Sequence, residues 1–111
     1  MTTQDIQNLL TQLMVVPNLI DGKIRIDFSK GGEFLGDIYY VPNIIKGQRK
    51  PILQTIYVID ASDMRGVIEY IHNNIPLQEE DMELIHKTIN IYCQDLIQKW
   101  GNEKFLTLKR G

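Results

Sequence analysis

A chain with one cysteine among its 111 residues has no partner for an intramolecular disulfide. Cys93 therefore has to be read as a thiol. With no basic stretch and apolar core of a secretion signal at the N-terminus, the expectation is a reducing, cytoplasmic setting and a soluble chain. Long hydrophobic runs are missing as well, and none approaches the ~20 residues that span a bilayer. Charge of one sign is also lacking. Twelve Lys and Arg stand against fourteen Asp and Glu, a formal net charge of -2, which gives no global pull toward nucleic acid or anionic lipid. Any such binding needs a local patch. No repeat, low-complexity tract or linker interrupts the chain, so 1–111 is expected to be a single domain with one core. No glycine-rich loop feeds a helix N-terminus, because Gly31-Gly32 joins strand to strand, and a phosphate cradle is not indicated.

What is present is an ordinary globular composition, 43% hydrophobic and 23% charged. Ile6, Leu9, Leu10, Leu13 and Met14 recur at helical spacing, predicting an amphipathic helix from Met1 to Val16, opened by a Thr2/Asp5 cap and ended by Pro17. Asn18 to Gly22 reads as a turn, with Asp21-Gly22 its strongest signal. The period then changes. Ile24, Ile26 and Phe28 alternate with Lys23, Arg25 and Asp27 as in a strand with one wet face. Gly31-Gly32 supplies a tight hairpin, and a return strand runs from Glu33 to Val41. Gly36 within it marks a bulge or a close approach of another backbone. Pro42 to Pro51 reads as a loop, and Ile52 to Ile59 as a third strand.

The last third is helical. Asp60 or Ser62 caps a helix carrying Met64, Val67, Ile68 and Ile71, which breaks at Asn73 to Pro76. A long helix follows from about Gln78 to Trp100, acidic in its first turn at Glu79, Glu80 and Asp81. Its expected inward stripe is Met82, Ile85, Ile89, Tyr92 and Leu96. Phe105 to Leu108 reads as a short edge strand or an ordered tail. The fold class is thus α+β, a three-stranded antiparallel meander packed by helices in the order α-β-β-β-α-α with that short C-terminal strand as an addition. The helix-meander-helix order resembles that of double-stranded-RNA-binding domains. Those carry a lysine cluster where this second helix opens Ser62-Asp63-Met64-Arg65, so the resemblance is one of element order alone.

Few residues suggest chemistry. Glu69 precedes His72 by three positions and Glu83 precedes His86 by three, a spacing that supplies carboxylate-bridged metal pairs in four-helix bundles. The two further inward glutamates of such a site are lacking, so the pairs read as exposed i, i+3 contacts and no metal or cofactor is expected. Cys93 has no basic neighbour to activate it and reads as an inert buried thiol rather than a nucleophile. A catalytic role is therefore not expected. Two features point to binding instead. Leu84, Ile91 and Ile97 lie off the long helix's main stripe, and apolar residues on a second face mark an interface. The expectation is a non-enzymatic protein-binding or regulatory module, of adaptor, antagonist or immunity type, acting as a homodimer. The alternative is a single-stranded nucleic-acid binder that tracks phosphates with Lys46, Arg49 and Lys50 while Tyr39, Tyr40 and Tyr57 stack on bases.

Overall fold

A computed structural model describes residues 1–45, 52–58, 62–104 and 107–108. The element order is α1 (Thr3–Leu10), β1 (Met14–Ile20), β2 (Lys23–Lys30), β3 (Glu33–Ile45), β4 (Ile52–Val58), α2 (Arg65–Asn74), a 3-10 turn (Glu79–Asp81), α3 (Met82–Lys104) and β5 (Thr107–Leu108). The strands form one sheet in the order β1-β2-β3-β4-β5, antiparallel from β1 to β4 and closed by a parallel β4–β5 pair. The fold is the α+β meander packed by helices that the sequence implies, with one strand more at its leading edge.

That strand comes from the stretch expected to be helical. Thr2 does cap α1, its Oγ1 accepting from Asp5 N while Thr2 N donates to Asp5 Oδ2. The helix nevertheless stops at Leu10, and Leu13, already outside it, is still buried. Val15 and Val16 are β-branched and Pro17 cannot donate to a helix, so extended backbone is favoured from Met14 onward. The Asp21-Gly22 turn then closes a two-residue hairpin, with both residues at positive φ (50° and 76°) as that turn type requires. Ile20 pairs with Lys23 at its mouth, and the register runs back through Pro17 opposite Ile26 to Met14 opposite Ser29. In such a hairpin the closing pair is hydrogen-bonded and pairs alternate along the ladder. Pro17, three residues from Ile20, therefore turns its ring nitrogen to the open edge, where no ladder bond is lost.

A bulge offsets β2 against β3. Phe28 opposes Gly36 and Ser29 opposes Phe34, leaving Leu35 as the extra residue. β3 also extends past Pro42 to Ile45 and pairs there with β4. The proline is tolerated because the β2–β3 ladder ends at Tyr40 opposite Ile24, so among the described residues this part of β3 has β4 as its only neighbouring strand.

Along the lower half of β3 the chain after β4 takes over as neighbour. Asp37 N donates to Asp63 O and Asp63 N to Asp37 O, both at 2.9 Å. A Cβ on Gly36 would run into Asp63 O, and a Cβ on Gly66 into Leu35 O. Two glycines thus let the first turn of α2 lie directly on the β3 backbone.

The core lies between the sheet and the helices. Ile24, Ile26, Phe28, Ile38 and Tyr40 face inward from β2 and β3 and meet Ile6 and Leu10 of α1, Val67 and Ile71 of α2, and Ile85, Ile89, Cys93 and Ile97 of α3. The alternate residues point to the opposite face. There Arg25 lies 2.8 Å from Asp27 and 3.3 Å from Asp37, and its guanidinium sits 5.8 Å from the centre of the Tyr39 ring. A second polar tie crosses the helical layer's edge, where Tyr70 of α2 donates to Gln12 Oε1 and accepts from Lys30 Nζ.

The α2 seat makes a sharp prediction. Gly66→Ala and Gly36→Ala should each lower stability by about 1–3 kcal/mol, because the added methyl meets backbone rather than a movable side chain. Gly31→Ala, whose Cβ would enter open space at φ 59°, should cost about 1 kcal/mol for its backbone angle alone. Urea unfolding midpoints of the three variants would show the ranking.

Candidate functional site

Two helices cover the sheet's inner face without closing over it. α1 packs on α3, while α2 is seated on β3. Between α2 and α3 an open cleft of about 1130 Å³ reaches down to β3. Ile38, Tyr40 and Ile89 form its buried floor, with Met64 and Ile68 half-buried beside them. Ser62, Arg65, Glu69 and His72 border it from the α2 side, and His86, Lys87 and Asn90 from α3.

The polar groups here are held by specific bonds. Tyr40 OH donates to Asn90 Oδ1 at 2.9 Å, and Gln94 Nε2 donates to the same oxygen at 3.2 Å. Burial pushes the Tyr40 phenol far above its ordinary value, and the neighbouring Cys93 adds to the effect. Burial likewise pushes the Cys93 thiol up to about 12, although its hydrogen bond with Tyr40 works in the other direction. His72 Nδ1 accepts from Leu77 N at 2.9 Å, which places the neutral ring's proton on Nε2. Arg65 grips Asp63 through Nε and Nη2, and these bonds hold the Asp63 carboxyl below its usual range.

The residues singled out from sequence fare differently. Glu69 and His72 share the cleft with His86, whereas Glu83 is exposed and does not line it. Among the described residues no group of three or more His, Cys, Asp or Glu side chains is placed to hold a metal ion. Ile97 is fully buried in the core, which corrects its expected place on an exposed face. The cause is the path of α3's stripe, which steps by four through Ile85, Ile89, Cys93 and Ile97 and so winds about 40° per step around a 3.6-residue helix. Leu84 is half-buried against the same core. Ile91 remains 43% exposed. Lys46, Arg49 and Lys50 lie outside the described residues, as does Asp60. Of the tyrosines, Tyr40 is fully buried and Tyr39 is half-buried beneath Arg25, so neither offers an open ring for stacking.

The cleft was missed from sequence because its floor and walls come from three separated segments. The one local hint was Gly36, whose close contact with Asp63 fixes where α2 sits. Among the described residues no helix is long and apolar enough to cross a membrane. Comparison with protein-family models, with curated proteins and with solved structures found no match to this chain.

The buried phenol and thiol set a pH dependence. Both are neutral in the folded chain, while in the unfolded chain they ionise near their ordinary values of 9.0 for Cys93 and 10.0 for Tyr40. Raised folded values mean that their contribution is complete below pH 9 and is lost as pH climbs toward 12. Stability should fall by up to about 1.4 kcal/mol per pH unit for each group. Cys93→Ala should remove the part that begins at pH 9, as urea titrations at pH 8, 9.5 and 10.5 would reveal.

Proposed function

We propose that the chain is a non-enzymatic protein-binding module that receives a segment of its partner in the cleft between α2 and α3. The observation that carries this reading is the apolar bottom of the cleft, the floor residues Ile38 and Ile89 with the half-buried Met64 and Ile68 beside them, lying between two polar walls. At about 1130 Å³ the cleft is at or beyond the upper end of ordinary small-ligand pockets. An open trough flanked by helices suits the apolar side of a helix or extended segment. A regulatory or adaptor role follows from such capture, and the buried, unpaired Cys93 is in keeping with a cytoplasmic setting. A partner that binds the wild type is expected to bind Ile68→Asn and Met64→Gln at least tenfold more weakly by calorimetry. Ile91→Ser, at an exposed position outside the cleft lining, should leave the affinity unchanged. Equal binding by the two cleft variants would remove the cleft as the docking surface.

Self-association is the second part of this reading, and a different surface favours it. On the outer face of the sheet Met14 (66% exposed) and Phe34 (53% exposed) flank the small Ser29 in one cross-strand row, with Val16 nearby on the same face. A second copy covering this patch gives a two-fold dimer. Sedimentation equilibrium should show a dimer for the wild type and a shift toward monomer for Phe34→Ser. A wild type that stays monomeric at high concentration refutes the dimer and leaves the cleft reading intact.

A further inference from the structure

On the α3 wall of the cleft the acceptor atom of Asn90 is used by the protein itself. Asn90 Oδ1 takes hydrogen bonds from both Tyr40 OH and Gln94 Nε2, which leaves the amide nitrogen Nδ2, a donor, as its free end. Among the described residues Nδ2 finds no acceptor. Lys87 precedes Asn90 by three positions, so the two share one helix face. It is exposed and forms no ion pair among the described residues. On the facing wall His72 spends Nδ1 on Leu77 N, so its free ring nitrogen is also a donor. Arg65 is already engaged by Asp63, which leaves Lys87 as the free cation of the rim among the described residues.

We propose, on the reading that this cleft is the docking site, that its occupant is a partner segment bearing a carboxylate next to apolar anchor residues. The anchors lie on the Met64–Ile68 floor and the carboxylate lies against Lys87 and Asn90. An ionised carboxylate is acceptor-only and answers both donors at once, through charge-assisted bonds. An ammonium group there would meet Lys87 as a like charge and leave Asn90 Nδ2 unpaired. Glu69, on the opposite wall, sets the orientation, since a second acid on that side would be repelled.

The test is a display library of random 12-residue peptides panned on the full chain, with clones then screened on Ile68→Asn and on Met64→Gln. Clones that need the floor are expected to be enriched in Asp and Glu over Lys and Arg. Their synthetic peptides should bind Asn90→Asp and Lys87→Glu at least tenfold more weakly. Asn90→Asp retains the oxygen that serves Tyr40 and Gln94 and exchanges the donor for a negatively charged acceptor, so with an unchanged circular dichroism spectrum the loss would be assigned to the missing donor together with repulsion of the ligand's carboxylate. Floor-dependent clones that are neutral or basic, or that bind Asn90→Asp equally well, would overturn the carboxylate while leaving the docking site in place. If no clone depends on Ile68 or Met64, both fall together.

Discussion

The contact on which the arrangement turns is backbone against backbone, where the first turn of α2 lies on β3. Asp37 and Asp63 exchange N–H and C=O bonds there, and Gly36 and Gly66 remove the two methylene-sized obstacles that any other residue would add. This satisfies polar groups on β3 below the reach of β4, which would otherwise be left unpaired. It also settles the position of α2. With that helix held at β3 and α3 committed to α1, the two cannot slide together, and the floor between them stays uncovered. The cleft follows from this seat rather than from any residue that lines it.

Much of the architecture was legible from pattern alone. The alternation of Ile24, Ile26 and Phe28 fixed the buried face of β2, and the glycine pair at 31–32 fixed the next hairpin, both at positive φ. The larger error lay at the first strand, and a smaller one at Pro42 to Ile45, which β3 takes from the expected loop. Leu9, Leu10 and Leu13 keep helical spacing up to the point where the chain changes geometry, because Leu13 packs into the core from the connecting turn. Two valines and a proline outweighed that spacing once β2 was available as a ladder. Periodicity reports which side chains are buried, and it does not by itself report the backbone that buries them.

The site was far less legible. Its polar groups matter through whom they bond: His72 through Leu77 N, Asn90 through Tyr40 and Gln94. The Tyr40–Asn90 bond joins residues far apart in the chain, and no spacing rule announces it. The paired Glu-x-x-His pattern did draw attention to the right helices, but for a different chemistry. Ile97 shows the converse limit, since a stripe drawn with 3- and 4-residue steps misses one that winds in steps of four.

The outward-turned nitrogen of Pro17 has a bearing on how copies of this chain meet. An edge strand of seven residues without a single charge, MVVPNLI, is the kind of template on which a second strand grows and on which aggregation begins. A pyrrolidine ring at its middle stands where an incoming carbonyl would need an N–H, and interrupts that growth at its centre. The ring thus guards an exposed apolar edge that carries no charge to do so.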